Sequence, residues 1–344
     1  MKAAAARRPR AADERVLVVD PAADAFWDAH IDALPRMLRP GDLVVVNDAR
    51  TIPASLAGQG PRGETLEARL AGATGERTFR AVLFGEGDWR TKTEDRPPPP
   101  RVRAGDTLRL AGLLATVLRV LGPSPRLVEV RFETGADAMW HAIHARGHYV
   151  QYAYATAPRE AWDAQTPFAG PPWASEMPSA GRALRFSVLG ALDAAGVRVA
   201  RITHAARLSS TGDAILDAAL PLPERYAVPA ETVAEIDRAK HAGGRVVAIG
   251  TTVVRALEGA ALAGGGVLRA HEGVTDLVLG PGYRRRIVDG IFTGLHERGA
   301  SHFALLGAFA PHALLARAYD HADEAGYLCH ELGDGSLVLD HVRK

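Results

Sequence analysis

The stretch RVVAIGTTVVRALEGAA (245–261) sets two threonines and an arginine where a strand turns into a helix. Arg245 to Ile249 reads as the strand, Gly250 as the turn, and Thr251 or Thr252 as the N-cap of the helix that follows. Free backbone N–H groups then point out of the turn, an arrangement that accepts a carboxylate or a phosphate, with the threonine hydroxyls as extra donors. The same pattern also describes an ordinary strand-to-helix turn. It is neither a dinucleotide fingerprint nor a phosphate loop, since both need more glycines at fixed spacing. A second unit, GDLVVVNDAR (41–50), ends a buried strand in Asn47, Asp48 and Arg50. Polar side chains just past a core strand are where α/β proteins place ligand contacts, although Asn47 and Asp48 equally suit a plain turn. A third unit, TDLVLGPGYRRRIVDGIFTGLHERGASH (275–302), carries Asp276, an arginine triplet and His296. On a strand, Arg284 and Arg286 share one face and suit phosphate contacts, or else a solvated edge. His296 is a candidate acid or base, one of 13 histidines. His141, His144 and His148 have helical spacing, but Gly147 should end the helix before His148, which argues against a metal site there. No Gly-x-Ser-x-Gly elbow and no His-Glu-x-x-His occurs, so serine-hydrolase and zinc-peptidase chemistry have no support.

These residues need a scaffold, and the chain is long enough for one. It has 344 residues, 47% of them hydrophobic, with a formal charge of +1. No whole-molecule field draws it onto nucleic acid or anionic membrane, so any polyanion site must be local. The single cysteine, Cys329, allows no internal disulfide and no four-thiolate zinc site, which fits a reducing cytoplasm. The opening MKAAAARRPRAADER has too short an apolar run for a signal peptide, and Phe303 to Ala316 is too short for a spanning helix. A soluble protein with a loose tail over residues 1 to about 12 is expected.

The apolar, β-branched runs at 16–19 and 43–46 predict strands buried on both faces, with a helix-like stretch around Phe26 to Met37 between them. From Gly58 to Phe132 about five short strands with turn signals predict a small barrel or sandwich, and 90–106 (RTKTEDRPPPPRVRAGD) is its polar loop. Gly147 to Pro178 reads as a long irregular segment, a type that is usually functional or disordered. Beyond it the pattern predicts a strand near 197–203, a helix near 230–242, a strand at 245–249 and a helix near 252–263. Strands near 276–279 and 286–289 and a helix-rich stretch at about 302–326 follow. This order is that of a mixed α/β core.

Four stretches resemble the S-adenosylmethionine:tRNA ribosyltransferase-isomerase family of queuosine biosynthesis: LRPGDLVVVNDARTIPASLAG (38–58), GGRVVAIGTTVVRALEGAA (243–261), TDLVLGPGYRRRIVDGIFT (275–293) and AYDHADEAGYLCHELGD (318–334). Glu224 and Tyr226 fall on that family's Glu-x-Tyr element, and Thr293 and His296 on its Thr-Asn-Phe-His-Leu-Pro element, which here reads TGLHERG (293–299). Other elements depart from the pattern. The family's proline-rich stretch is replaced by YVQYAYA (149–155), and AQTPFAG (164–170) and PSAGRALRF (178–186) are altered. A glycine-rich strand end has become THAARLSSTGD (203–213), in which His204 survives, and Tyr-Arg-Phe-Phe-Ser-Tyr-Gly-Asp has become YLCHELGD (327–334). The scaffold is kept while the loops are rewritten, and loops carry specificity.

The resemblance implies a mixed α/β fold: a barrel-like α/β core domain formed by 1–57 and 135–344, with a small β-barrel domain inserted at 58–134. It implies transfer of the ribosyl group of S-adenosylmethionine to 7-aminomethyl-7-deazaguanine in the anticodon of tRNA. Isomerisation then gives epoxyqueuosine, with release of adenine and methionine. S-adenosylmethionine is a substrate, and no prosthetic group and no metal are expected. His296, Asp276 and Asp48 are the candidate catalytic residues. Asn47, Thr251, Thr252, Arg255 and Thr293 are the candidate substrate contacts, with the first turn at Thr251 and Thr252 suited to the methionyl carboxylate. Arg284 and Arg286 are the candidate tRNA contacts. A cytoplasmic monomer that engages no membrane is expected. Two other functions stay open: a divergent paralogue with a different acceptor, and a non-catalytic RNA-binding protein.

Overall fold

The computed structural model describes residues 1–8 and 13–343. In chain order, β1 (Lys2–Ala3), β2 (Arg15–Asp20) and β3 (Ala25–His30) lead to the short helix α1 (Leu34–Met37) and to β4 (Leu43–Asn47). Then come β5 (Ser55–Gln59), β6 (Thr65–Ala73), β7 (Thr78–Phe84), β8 (Thr107–Leu110), β9 (Leu113–Val120), β10 (Leu127–Phe132) and α2 (Ala136–Arg146). After an irregular stretch the chain forms α3 (Phe186–Ala194), β11 (Arg198–His204), α4 (Ala214–Ala218), β12 (Glu224–Val228), α5 (Ala230–His241), β13 (Val246–Ile249) and α6 (Thr251–Ala263). It closes with β14 (His271–Thr275), β15 (Gly290–Gly294), α7 (Ser301–Leu306), α8 (His312–Glu324), β16 (Leu328–Cys329) and β17 (Gly335–Val338).

Nine strands form the core sheet in the order β14-β12-β11-β4-β13-β15-β17-β2-β3. At its centre β11, β4, β13 and β15 run parallel, so their C-terminal ends fall on one edge. Both faces are covered, which explains the continuous apolar runs. Leu43 and Val45 pack toward α6 and α8 with Leu17, Val19, Val246 and Ala248. The alternate residues Val44 and Val46 pack with Val16, Val18 and Val247 against Leu184, Val188 and Leu192 on the other face. Removing methylenes from either layer should cost about 2–5 kcal/mol for a truncation to alanine.

Strands β5 to β10 close into a six-stranded barrel. The expected boundary at 57/58 falls inside β5, which starts at Ser55 and pairs with both β6 and β8. The SLAGQ of β5 carries no strand-like apolar pattern, because only Leu56 of the strand is buried. The apolar cluster of the barrel also takes in Met139 and Ile143 from α2, and Leu208, Leu216 and Leu222 from the segment after β11.

Four sequence expectations change. The stretch 26–37 is a strand and one short helical turn, because Pro21 and the left-handed Asp24 reverse the chain and lay β3 antiparallel on β2. No strand forms at 276–279 or 286–289. The backbone N–H groups of Arg286, Ile287 and Val288 donate instead to the buried carboxylate of Glu258 at 3.0–3.1 Å, so they cannot join a ladder. The edge strand is β14, whose exposed Val274 and polar neighbours hide its period. Within the expected N-terminal tail, Lys2–Ala3 pairs in parallel with Leu328–Cys329 and Ala4 is buried, while residues 9–12 lie outside the described residues. The segment 147–178 has no helix and no multi-residue strand, as the sequence suggested. Among the described residues no helix is long and apolar enough to cross a membrane.

Candidate active site

The C-terminal ends of the four parallel strands bring Asn47, Asp48, His204, Thr251, Thr252 and Thr293 to one edge of the sheet. Asn47 ties that edge together. Its side-chain Nδ2 donates to the His204 carbonyl at 3.0 Å and to Thr252 Oγ1 at 3.2 Å, and its Oδ1 accepts from the N–H groups of His204 and Ala49. The amide is thus occupied by the protein, and Asn47 positions its neighbours. Asp48 is half-buried and accepts from Thr203 Oγ1 at 2.6 Å. Burial raises its carboxyl pKa above the ordinary value.

The N-cap of α6 is Gly250, not Thr251 or Thr252 as the sequence suggested. Its φ of +95° lies in the left-handed region, which lets the chain leave β13 sharply while its N–H holds the Phe292 carbonyl at 2.7 Å. Thr251 and Thr252 therefore occupy the first turn of the helix, where backbone N–H groups have no partner within the helix.

One turn further on, the guanidinium of Arg255 is buried. It donates through Nε to the Leu277 carbonyl at 3.0 Å and through Nη1 to Glu224, the first residue of β12. Glu224 also accepts the backbone N–H of Arg207 at 3.0 Å, and burial raises its pKa. His204 lies 3.5 Å from the same carboxylate, fully buried. Burial and the nearby Arg255 and Arg207 push its pKa well below the usual value, so the imidazole is neutral. The line continues to His302, pushed down to about 4 by burial and Arg255. His302 stacks on His296 at 4.9 Å between ring centroids. His296 bonds Thr293 Oγ1 at 3.0 Å through Nε2, and burial pushes its pKa well below the usual value too. A neutral imidazole can accept a proton or a hydrogen bond but is no general acid near pH 7.

A second group, absent from the sequence candidates, comes from the irregular segment and the C-terminal turn. Tyr152 donates to the carboxylate of Glu176, which also accepts the Ser209 N–H at 3.0 Å. Tyr154 donates to Glu331, which Arg159 also contacts at 3.2 Å, and the Tyr154 ring stacks on His330 at 4.5 Å. Burial, and then the charge of Glu331, lift the Glu176 carboxyl to about 7. That value matches a general base working near neutrality. The aromatic, period-free texture of 147–178 was the only sequence signal for this group.

Other candidates lie elsewhere. Asp276 follows β14 with its side chain exposed. Arg284 and Arg286 are exposed at the opposite end of β15 from Thr293, and Arg285 turns inward to the carbonyls of Val288 and Asp289 and to the Phe309 ring. His141 and His144 are exposed on α2, and His148 lies past its end beside Ser55. Among the described residues, the one group with ligand atoms placed for a cation is Glu297, Cys329 and His330, whose atoms all lie within 4.8 Å of one another. A carboxylate, a thiol and an imidazole together suit zinc.

Comparison with known proteins gives one consistent result. A family model described as "Queuosine biosynthesis protein" matches residues 2–338. The chain is 36% identical over 337 residues to the S-adenosylmethionine:tRNA ribosyltransferase-isomerase of Methylobacterium radiotolerans, covering 96% of this chain and 92% of that protein. It is 35% identical over 340 residues to the enzyme of the same name from Gluconacetobacter diazotrophicus, covering 96% and 91%. The crystal structure of S-adenosylmethionine tRNA ribosyltransferase from Thermotoga maritima superposes with a TM-score of 0.53 at 22% identity, covering 98% of this chain and 96% of that one. At that identity the structural likeness speaks for the fold.

Proposed function

Because the chain belongs to the queuosine biosynthesis protein family, we propose that it works as an S-adenosylmethionine:tRNA ribosyltransferase-isomerase at the C-terminal edge of its parallel strands. It moves the ribosyl group of S-adenosylmethionine onto the aminomethyl group of a 7-deazaguanine in tRNA and isomerises it to epoxyqueuosine, releasing adenine and methionine. The observation that carries this reading is the set of polar groups gathered at that edge: Asn47 bonded to the His204 carbonyl, buried Glu224 held by Arg255, and His302 stacked on His296. Relatives covered almost end to end carry the same reaction in their names.

The chemistry needs a base for the acidic proton on the carbon next to the sulfonium. Glu176 fills that role in this proposal: its carboxyl titrates at about 7, and the Tyr152 hydroxyl and the Ser209 N–H fix its orientation. Thr293 holds the neutral His296 as an acceptor for a substrate hydroxyl or the leaving base. Asp48, with its raised pKa, is a second proton carrier at that edge. Thr251, Thr252 and Arg255 face the methionyl end of the substrate, and Asn47 keeps the strand ends in register. Arg284 and Arg286, remote from this edge, are contacts for phosphates of the long tRNA body.

The test is adenine release from S-adenosylmethionine, followed by chromatography with and without tRNA bearing the aminomethyl-deazaguanine. Release that requires that tRNA is the expected result. Release without it would make the chain a paralogue with another acceptor. No turnover together with salt-sensitive RNA binding would make it a non-catalytic binder.

A further inference from the structure

Around Glu224 the protein buries more cations than it neutralises. Arg255 uses Nε and Nη1, but its Nη2 is buried with no partner. Arg207 bonds Glu224 only through its backbone N–H, and its Nε and Nη1 are buried without partners. Both ring nitrogens of His204 are in the same condition, in a side chain with no exposed surface. Arg207 stands in the rewritten loop 203–213 and reaches across to β6 of the barrel, where its guanidinium lies against Gly72. The charged groups facing it are Glu224, Arg80 and Arg255. Arg80 lies directly opposite Glu129 in the barrel ladder, so its charge has a neighbour of its own. Arg207 and Arg255 therefore share one carboxylate, Glu224, and with His204 neutral the group is one negative charge short.

Buried donors without partners are rare and cost free energy, and buried cations are normally paired. Several of them gathered around one carboxylate, Glu224, mark the place of a missing acceptor. We infer that Arg207 and Arg255 bind a carboxylate between them and that, given the reaction proposed above, this is the methionyl carboxylate of S-adenosylmethionine. A monoanion restores neutrality, whereas a dianionic phosphate would overshoot it. The planar carboxylate also matches the fork of a guanidinium, and one imidazole N–H of His204 supplies a further donor. Arg255 lies one helical turn from Thr251, on the same face of α6, so the carboxylate also meets the positive end of that helix. Arg207 is thus a substrate contact brought in by the altered loop.

Titration calorimetry with two ligands tests this assignment. S-adenosylmethionine carries the carboxylate, and 5′-methylthioadenosine is a related nucleoside without it. Arg207→Met should weaken S-adenosylmethionine by about 10- to 100-fold while leaving methylthioadenosine within about twofold. Arg207→Lys, which keeps the charge and loses the fork, should fall between. Equal loss for both ligands, or unchanged S-adenosylmethionine affinity in a folded Arg207→Met protein, overturns the pocket. If the native protein binds neither nucleoside, the reaction proposed above fails, and the pocket is then read with acetate and inorganic phosphate. An Arg207-dependent rise in Tm with acetate keeps the carboxylate site. A rise with phosphate alone, or with neither, overturns it.

Discussion

The barrel and the strand-end site each bury a glutamate between two arginines, and they treat it in opposite ways. In the barrel, Glu67 accepts from Arg69 Nε at 2.7 Å, Ser55 Oγ at 2.7 Å and Arg96 Nη1 at 2.6 Å, and Arg96 also donates to the carbonyls of Gly85 and Glu86. Burial alone would raise the carboxyl, but Arg69 and Arg96 outweigh it and hold its pKa below the ordinary value. One nitrogen, Arg69 Nη1, is left over. At the site, burial wins: Glu224 is raised despite Arg255 and Arg207, and Arg207 itself falls to about 10 through burial, Arg80 and Arg255. Glu176 and Asp48 are raised as well, whereas the barrel's Glu129 is lowered. Nearly the same residue types therefore make a finished network in one place and an unfinished one in the other. Completion by the protein itself marks a structural role, and incompletion marks room for a ligand.

The sharpest way to break this contrast is to remove the ionisable oxygen of Glu176. Glu176→Gln keeps the shape and should lower kcat for adenine release by about 10²- to 10⁴-fold. The native rate should rise with pH through about 7 as the carboxyl ionises, and the variant should lack that limb. A variant that keeps both rate and limb would hand the proton to another group. Next in size is Glu67→Ala, which leaves Arg69 and Arg96 buried without their carboxylate and should cost about 3–5 kcal/mol in denaturant unfolding. Arg69 also lies over the Tyr152 ring, 5.4 Å from its centroid, so adenine release per folded molecule should fall far less than in Glu176→Gln, and an equal loss of activity would erase the distinction between the two networks.

A smaller effect separates the same two carboxylates by the sign of their pH dependence. Glu67, lowered in the folded state, contributes stability above its unfolded value of 4.5 that is lost as pH falls. Glu176 is raised to about 7, so it binds a proton more tightly when folded, and stability should drop as pH rises from about 4.5 to about 7. Thermal melts across that window should show the drop in the native protein and its absence in Glu176→Gln. An unchanged pH profile in the variant would remove Glu176 from the raised set.

The two networks also differ in how far the sequence revealed them. The scaffold was readable because β4 and β13 are continuous apolar runs, and the Gly-Thr-Thr turn places its threonines by local rules. The strand-end candidates Asn47, Thr251 and Thr252 followed from these units, whereas Arg255 and Thr293 rested on the family resemblance. The tyrosine–glutamate pairs followed from neither, because Tyr154 meets Glu331 across 177 positions and Tyr152 meets Glu176 within a segment that has no period. The absence of a strand at 286–289 has a cause of the same kind, since Glu258 claims the N–H groups of Arg286, Ile287 and Val288 from a separate helix. Whether a carboxylate is satisfied depends on partners far along the chain, so neither the lowered Glu67 nor the raised Glu176 could be graded from residue type.

The weakest expected effect probes where the unfinished network ends. If Arg207 and Arg255 supply most of the carboxylate's binding, the first turn of α6 adds only its dipole and hydroxyl donors, about 0.3–1 kcal/mol. Thr251→Val and Thr252→Val should then raise the KM for S-adenosylmethionine by about two- to fivefold with little change in kcat. Thr252→Val removes an acceptor from Asn47 Nδ2, but that amide keeps the His204 carbonyl at 3.0 Å, so the strand ends stay tied and folding is spared. An unchanged KM in both variants would place the carboxylate entirely on the arginines and leave the helix turn a plain connection between β13 and α6. A KM increase as large as that of Arg207→Met would instead make the helix terminus an equal partner, and the boundary between the protein's own network and the ligand's would move one turn up α6.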